Sequence, residues 1–167
     1  VYISLVDALA NPAEVYQLAL KKQKLNEVPK EVLAFPNLVS LDLSKNQLSQ
    51  LPDWLKGLVK LEEIKLTNNK FVVFPKVLCE MQSLRTINLD RNPIESLPPC
   101  IGKLQQLVTL DLWDTSLEMI PSELALCKNL RYLDLRSTKI YKSDLPNLMD
   151  LMPNTEILVT HGCSCKD

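Results

Sequence analysis

One pattern of apolar residues recurs every 23 positions along the chain, and it limits the possible folds more than any other feature. Leucine or isoleucine occupies positions four and six of all six units, and position eleven is apolar in each. Later in the unit, five of the six carry an apolar residue followed by proline, from Val28-Pro29 to Ile120-Pro121. Position one holds Val15, Leu38, Leu61, Leu84, Leu107 and Leu130. Chance does not align so many columns, so the chain is a repeat array.

The pattern within each unit predicts one short strand and one return segment. Positions four and six alternate with polar residues, as in a strand that buries one face. A single unit cannot bury that face alone, but stacked units can, with their strands in a parallel sheet. Proline suits the extended return path, because it fixes φ and needs no hydrogen-bond acceptor. Short helical or 3-10 segments are expected next, burying Val32 and Phe35 in one unit and Ile101 and Leu104 in another.

Position nine carries the residues expected to tie the turn after each strand. An asparagine side chain both donates and accepts hydrogen bonds, so it can pair backbone groups that would otherwise stay unsatisfied in the interior. The first unit has Gln23 at this position. The predicted structural ladder comprises Asn46, Asn69, Asn92, Thr115 and Thr138.

These columns match the unit LxxLxLxxNxLxxLPxxLxxLxx, so residues 15–142 resemble the leucine-rich repeat family. Within the family the sequence is most similar to bacterial 23-residue repeats, and its lead-in, VYISLVDALANPAEVYQLAL, resembles proteins of Bacteroidetes-type bacteria. The resemblance implies an α/β-type, right-handed solenoid with a concave parallel sheet and a convex side of extended, 3-10 and short helical segments. It implies one domain over 1–167, and protein ligands on the concave side.

The chain before the repeats is expected to form a helical cap over 3–13. Ser4 and Asp7 resemble a capping box with aspartate in place of glutamate. Leu5, Val6 and Leu9 supply the apolar residues of this segment. Asn11-Pro12 repeats the helix-start signal.

Residues 143–167 are expected to form the second cap. Ser143 or Asp144 would start a helix that Pro153 ends. A degenerate seventh strand would follow, with Thr155 at position one, 25 residues after Leu130. The apolar stripe of this helix is interpreted as core rather than as a partner-binding face, and it comprises Leu145, Leu148, Met149 and Met152.

Composition argues against several function classes. A net charge of -1 gives no basic footprint for nucleic acid or an anionic membrane. The three glycines form no nucleotide-binding fingerprint, and no apolar run is long enough to span a membrane. His161 is the only histidine, and its spacing to Cys163 and Cys165 is not a standard zinc signature. We therefore expect no catalysis, no cofactor and no metal.

The five cysteines suggest mostly free thiols, because their number is odd and their spacing irregular. Cys127 occupies an apolar column and is expected to be buried. Cys79 and Cys100 lie in the outer segments and are expected to be partly exposed. If the protein is exported, Cys163 or Cys165 could pair with Cys127. A periplasmic or cell-surface location is expected if a signal peptide precedes Val1.

The outward residues of the strands, at positions three, five and seven, form the expected concave face. The three such residues of one unit form a row of this face. The residues of the first three rows are mostly small or charged, as on a solvated surface. The last two rows bring in Trp113, Tyr132 and Arg136, the residue types that dominate binding hot spots. An ordinary surface with an arginine–aromatic stack stays open as the alternative. The predicted ligand-binding residues are Lys65, Asn88, Asp90, Arg91, Asp111, Trp113, Tyr132, Asp134 and Arg136.

Protein–protein recognition without catalysis is the function that these residues favour. One alternative is an intracellular regulator that masks a partner enzyme through the same surface. Another is a surface adhesin that stacks carbohydrate on Trp113 and Tyr132. Trp54 lies in an outer segment and is expected to pack against its neighbour. The expected partner is a protein of unknown identity, with no nucleic acid, no membrane span and a monomer as the default state.

Overall fold

A computed structural model describes residues 1–140 and 145–160. Within these ranges, seven short strands form one parallel sheet in chain order. The predicted repeat solenoid with its parallel sheet is therefore confirmed. The strands are β1 (Gln17–Ala19), β2 (Ser40–Asp42), β3 (Glu63–Lys65), β4 (Thr86–Asn88), β5 (Thr109–Asp111), β6 (Tyr132–Leu135) and β7 (Glu156–Val159).

The core lies between the sheet and a layer of 3-10 segments. The inward residues of β1 to β6, such as Leu18 and Leu133, are almost completely buried. Val32 and Phe35 close the core from the other side, as expected. In each of the last five outer segments the residue before the segment is proline, because the extended return path needs no donor there. The 3-10 segments are Pro12–Glu14, Lys30–Ala34, Asp53–Gly57, Lys76–Glu80, Pro99–Lys103 and Ser122–Leu126.

Asn92 shows how a position-nine asparagine connects two consecutive repeats. Its Nδ2 group donates to the carbonyls of Leu66 and Leu89, both at 2.9 Å. Its Oδ1 accepts the backbone N–H groups of Asn69 and Phe71, both at 3.2 Å. The other two asparagines of the ladder donate to corresponding carbonyls in the same way. Each side chain thus pairs buried backbone groups of its own and the preceding unit.

The two threonines at position nine do not continue these bonds between repeats. Thr115 Oγ1 donates to the carbonyl of Leu112 at 2.9 Å, and Thr138 Oγ1 donates to that of Leu135 at 2.7 Å. Both acceptors belong to the same unit as the threonine. A hydroxyl has one donor and a shorter reach than an amide, so the ladder between repeats ends after the fourth unit.

Helix α1 (Leu5–Ala10) begins at the expected residue. Ser4 Oγ accepts the backbone N–H of Asp7 at 3.3 Å. The apolar face differs from the expected one, because Ala8 is the buried residue of α1 while Val6 and Leu9 are exposed. The helix is short, so only a small patch of it reaches the core.

Helix α2 (Pro146–Leu151) closes the other end of the core. Leu145, Leu148 and Met152 are buried, as expected for the cap, but Met149 is 40% exposed. Ser143 and Asp144, the expected start residues, lie outside the described residues, as do 161–167.

The register of β7 corrects the sequence-based expectation. Ile157 pairs with Leu133 and Val159 with Leu135, a spacing of 24 rather than 25. A shift of one residue would turn Leu158 and Thr160 inward. The observed register instead lets Ile157 and Val159 pack against the core.

The cysteine expectation was wrong for the outer pair. Cys79 and Cys100 form a disulfide between neighbouring 3-10 segments, with their Cα atoms 5.7 Å apart. Cys79 is buried rather than partly exposed. Cys127 is buried and has no disulfide partner among the described residues. Burial raises the pKa of its thiol to about 11, so Cys127 is an unreactive core residue.

Candidate functional site

The predicted binding residues lie on or directly after strands β3 to β6, on the concave face. Register pairs Thr109 with Tyr132 and Asp111 with Asp134 on the neighbouring strand. Two separate side-chain groups occupy this surface. One is built around Asp134 and the other around Trp113.

Asp134 is the buried centre of the first group. Arg136 donates two hydrogen bonds to its carboxylate, from Nη2 to Oδ2 at 2.6 Å and from Nε to Oδ1 at 3.0 Å. Tyr132 Oη donates to Oδ2 at 3.2 Å. Only 3% of the Asp134 side chain is exposed, against 51% for Arg136. Burial alone would raise the pKa of Asp134, but the bonds and charge of Arg136 outweigh it and hold that pKa below its ordinary value.

Arg136→Ala should therefore lower stability, because it leaves the Asp134 carboxylate buried without its cation. We expect the loss to be smaller than for a fully buried ion pair, since half of the Arg136 side chain lies in water. The folded pKa of Asp134 is depressed, so its contribution is present above the unfolded value of about 3.9 and is lost as the pH falls through the folded pKa. Thermal midpoints of both proteins, measured from pH 7 to 3, should converge on acidification. A constant gap would contradict this role.

The second group is a stack of Arg91 on Trp113. The guanidinium carbon lies 4.5 Å from the ring centroid, a cation–π contact between units four and five. Arg91 is at position eight, where all six units have a positive φ, and its own φ is 55°. The arginine–aromatic stack considered from the sequence is thus present. Its cation is Arg91, while Arg136, in the column of Trp113, binds Asp134 instead.

The middle column of the concave face has a structural role that the sequence analysis missed. In four strands the side-chain Oδ1 accepts the backbone N–H two residues later, at 2.9–3.2 Å. Such local bonds are typical of Asp and Asn in turns, so residue type at position five was the available signal. Lys65 breaks the column and pairs with Glu63 at 3.1 Å. The four residues are Asp42, Asn88, Asp111 and Asp134.

Asp111 differs from the other carboxylates of the column. Its Oδ2 accepts from Asn88 Nδ2 at 3.2 Å, yet it forms no ion pair among the described residues. Asp42 and Asp134 each have a cation, at 4.0 and 2.6 Å respectively. Burial raises the pKa of Asp111; the N–H of Trp113 opposes this rise, and the charges of Asp90 and Asp134 add to it.

Asp90 lies in unit four, next to the unit that contains Asp111, and is almost completely buried. Thr67 Oγ1 donates to one of its carboxylate oxygens at 2.5 Å. The same hydroxyl also lies 2.9 Å from Asn88 Oδ1. Asn88 and Asp90 are therefore held by neighbouring side chains, and their role in ligand binding stays a prediction.

The remaining features concern metal binding, membrane spanning, Trp54 and the tail. No group of three histidine, cysteine or carboxylate side chains within 1–140 and 145–160 is placed to hold a metal ion. Within those ranges no helix has the length and apolar character needed to cross a membrane. Trp54 is half-buried against the core on the outer side, as expected, and is not part of the concave face. The tail with His161 lies outside the described residues.

Comparison with protein families finds the leucine rich repeat model at residues 13–71 and 82–140. The chain belongs to the leucine-rich repeat family. Proteins of this family are commonly protein-interaction modules, and neither the family nor the similar structures are enzymes. No curated protein matches the sequence. The narrower likeness to Bacteroidetes-type repeats stays a prediction.

Three solved structures illustrate the likeness. A leucine-rich repeat protein from Leptospira interrogans is 32% identical over 82% of this chain, with a TM-score of 0.67. An internalin from Listeria monocytogenes is 18% identical over 94%, with a TM-score of 0.70, and shows the fold alone. The plant peptide hormone receptor RGFR1, in complex with RGF2, is 26% identical over 81%, with a TM-score of 0.64. This chain spans 41%, 51% and 22% of those three chains respectively.

Proposed function

We propose that this leucine-rich repeat chain is a non-catalytic recognition module that binds a protein ligand on the concave face of units four to six. The Arg91–Trp113 stack carries the proposal. Tryptophan and arginine are hot-spot residue types, and here they meet on a sheet surface rather than in the core. The first three rows of the same face carry no tryptophan or arginine.

The side chains of this surface are held in place before any ligand arrives. Trp113 has Arg91 against its ring, and Tyr132 is bonded to Asp134. Ordering free side chains on binding costs about 0.5–1.5 kcal/mol each, and fixed ones avoid much of this cost. Such an arrangement favours binding of a defined partner.

Two features of the surface and one comparison support a protein ligand over a sugar. One face of Trp113 is covered by a guanidinium, which removes part of the stacking platform. Tyr132 uses its hydroxyl on Asp134 instead of leaving it for a sugar hydroxyl. The plant receptor, a structural neighbour, is described in complex with RGF2, so a related solenoid serves there in a complex.

The test removes the stack without touching Asp134. Arg91→Ala with Trp113→Ala should leave the thermal midpoint nearly unchanged, because both residues lie on the surface, and should weaken partner capture at least about tenfold. The matched control is Lys22→Ala with Lys45→Ala, which removes two exposed cations from the position that Arg91 occupies. Affinity capture from the native source with quantitative mass spectrometry compares the three proteins. Equal capture by the stack variant and the control would rule out this surface.

A further inference from the structure

The charges of the proposed surface do not balance internally. Arg136 is committed to Asp134, and no other carboxylate of units four to six forms an ion pair with Arg91 among the described residues. At positions three to eight of units four to six, Asp90, Asp111 and Asp114 therefore outnumber Arg91, the one remaining cation there. The earlier rows differ, since Lys21 and Lys65 neutralise the carboxylates beside them. A partner that complements this surface carries positive charge.

Asp111 is the carboxylate of this surface best placed to bind a positively charged group of the partner. It is the last residue of β5, in the middle column, and Trp113 follows two residues later, just beyond the strand. Tyr132 lies diagonally across on β6, because its direct neighbour is Thr109. Residues two positions apart in the chain are at most roughly 7 Å apart, and diagonal neighbours in a sheet are roughly 7–8 Å apart. The carboxylate of Asp111 thus lies in a site with an aromatic side chain on either side.

The carboxylate is also in an environment that disfavours its own charge. Asp111 is half-buried, Asp134 lies on the neighbouring strand β6, and Asp90 follows β4 by two residues. Both carboxylates disfavour the charge of Asp111, and the Arg136 guanidinium offsets part of this effect. A cation that reaches Asp111 would offset both the lost hydration and this repulsion. Charge-assisted hydrogen bonds at a partly desolvated site are stronger than those between neutral groups.

We infer that the protein ligand places a lysine or arginine side chain on Asp111, between Trp113 and Tyr132. This inference rests on the proposed function of the surface. The carboxylate would accept hydrogen bonds from the basic group, and the aromatic rings would contact its methylene stem or its cation. The partner is therefore a protein with an exposed basic residue in the segment that enters the concave face.

A random peptide library displayed on phage provides the probe. It would be selected in parallel on the wild-type protein, on Asp111→Asn and on Asp53→Asn. Asparagine keeps the Oδ1 that accepts the Trp113 N–H and removes the charge, and the bond that Oδ2 accepts from Asn88 is lost with it. Asp53 lies in an outer segment and serves as the matched loss of one carboxylate. We expect wild type and Asp53→Asn to enrich one basic position in the peptides, and Asp111→Asn to lose that enrichment.

A selected peptide then tests the pairing directly. Its arginine would be replaced by citrulline, or its lysine by acetyl-lysine, and titrated calorimetrically against wild type and Asp111→Asn. Each single change should weaken binding about tenfold, and the two together no more than one alone, because they remove the same contact. Additive losses would overturn the inference.

The outcomes separate this inference from the proposed function. Peptides that require Arg91 and Trp113 but show no basic preference would overturn the role of Asp111 and leave the binding surface standing. If no selected peptide depends on Arg91 and Trp113, both proposals are wrong.

Discussion

Asn92→Ala should lower the free energy of unfolding by about 3 kcal/mol, because it strands several buried backbone groups at once. Asn92 is 1% exposed, so water does not reach these groups without a local rearrangement. The N–H groups of Asn69 and Phe71 would lose the oxygen they donate to, and the carbonyls of Leu66 and Leu89 would lose a donor. Each unpaired buried group costs about 1–3 kcal/mol, and partial relaxation keeps the total below the simple sum.

Thr115→Ala is the matched control for this prediction. It occupies the same position of the next unit, is also buried, and gives up a single bond to Leu112. We expect a loss of about 1 kcal/mol. Urea unfolding followed by circular dichroism would give both values with the slopes that check two-state behaviour. Equal losses for the two variants would mean that the bonds between repeats add nothing to those within one repeat.

The strands β1 to β6 could be predicted because every column of the repeat reports the same register. Six units with one period leave no freedom in which residues face the core. The seventh strand has no such support, since helix α2 intervenes and the period is lost. Its register depends on whether Ile157 or Leu158 is buried, and both are apolar. Only the packing of the end repeat decides between them.

The disulfide was not predictable from the period for a related reason. Cys79 is the nineteenth residue of its unit and Cys100 the seventeenth of the next, so they share no column. They meet because the two outer segments lie against each other in the stacked repeats. Pairing across a layer depends on three-dimensional packing, which a single sequence does not report.

The candidate site could likewise be predicted only in part from the sequence. Residue columns predicted which side chains share the concave face, but not how they pair. The units on either side of the one that contains Trp113 each carry an arginine at position seven or eight. Side-chain geometry shows that Arg91 contacts the ring and that Arg136 binds Asp134. The ladder also ends at Thr115, in the unit that carries Trp113. Departures from a consensus that stabilises the fold are expected where a surface serves binding, which is a further reason to place the ligand there.

Breaking the Cys79–Cys100 disulfide should destabilise the fold by about 3 kcal/mol. The bond closes a loop between residues 21 apart, which restricts the unfolded chain much more than the folded one. Reduction removes that restriction while the side chains of the outer segments keep their places. Urea unfolding with and without reductant measures the difference. Since disulfides persist in oxidising compartments, a stabilising pair would also support the expectation of an exported protein.

Thiol counting and urea unfolding are each carried out on a double cysteine variant. In Cys163→Ser with Cys165→Ser, a thiol reagent applied to the denatured protein should find one reactive sulfhydryl, that of Cys127, before reduction and three after it. In Cys79→Ala with Cys100→Ala, the reductant should leave the urea midpoint unchanged, because the bond it acts on is gone. Three thiols before reduction would show that the pair is not oxidised, and the shared outer layer would then be held by packing alone. A reductant effect that persists in the alanine variant would instead assign the stabilisation to another cysteine pair.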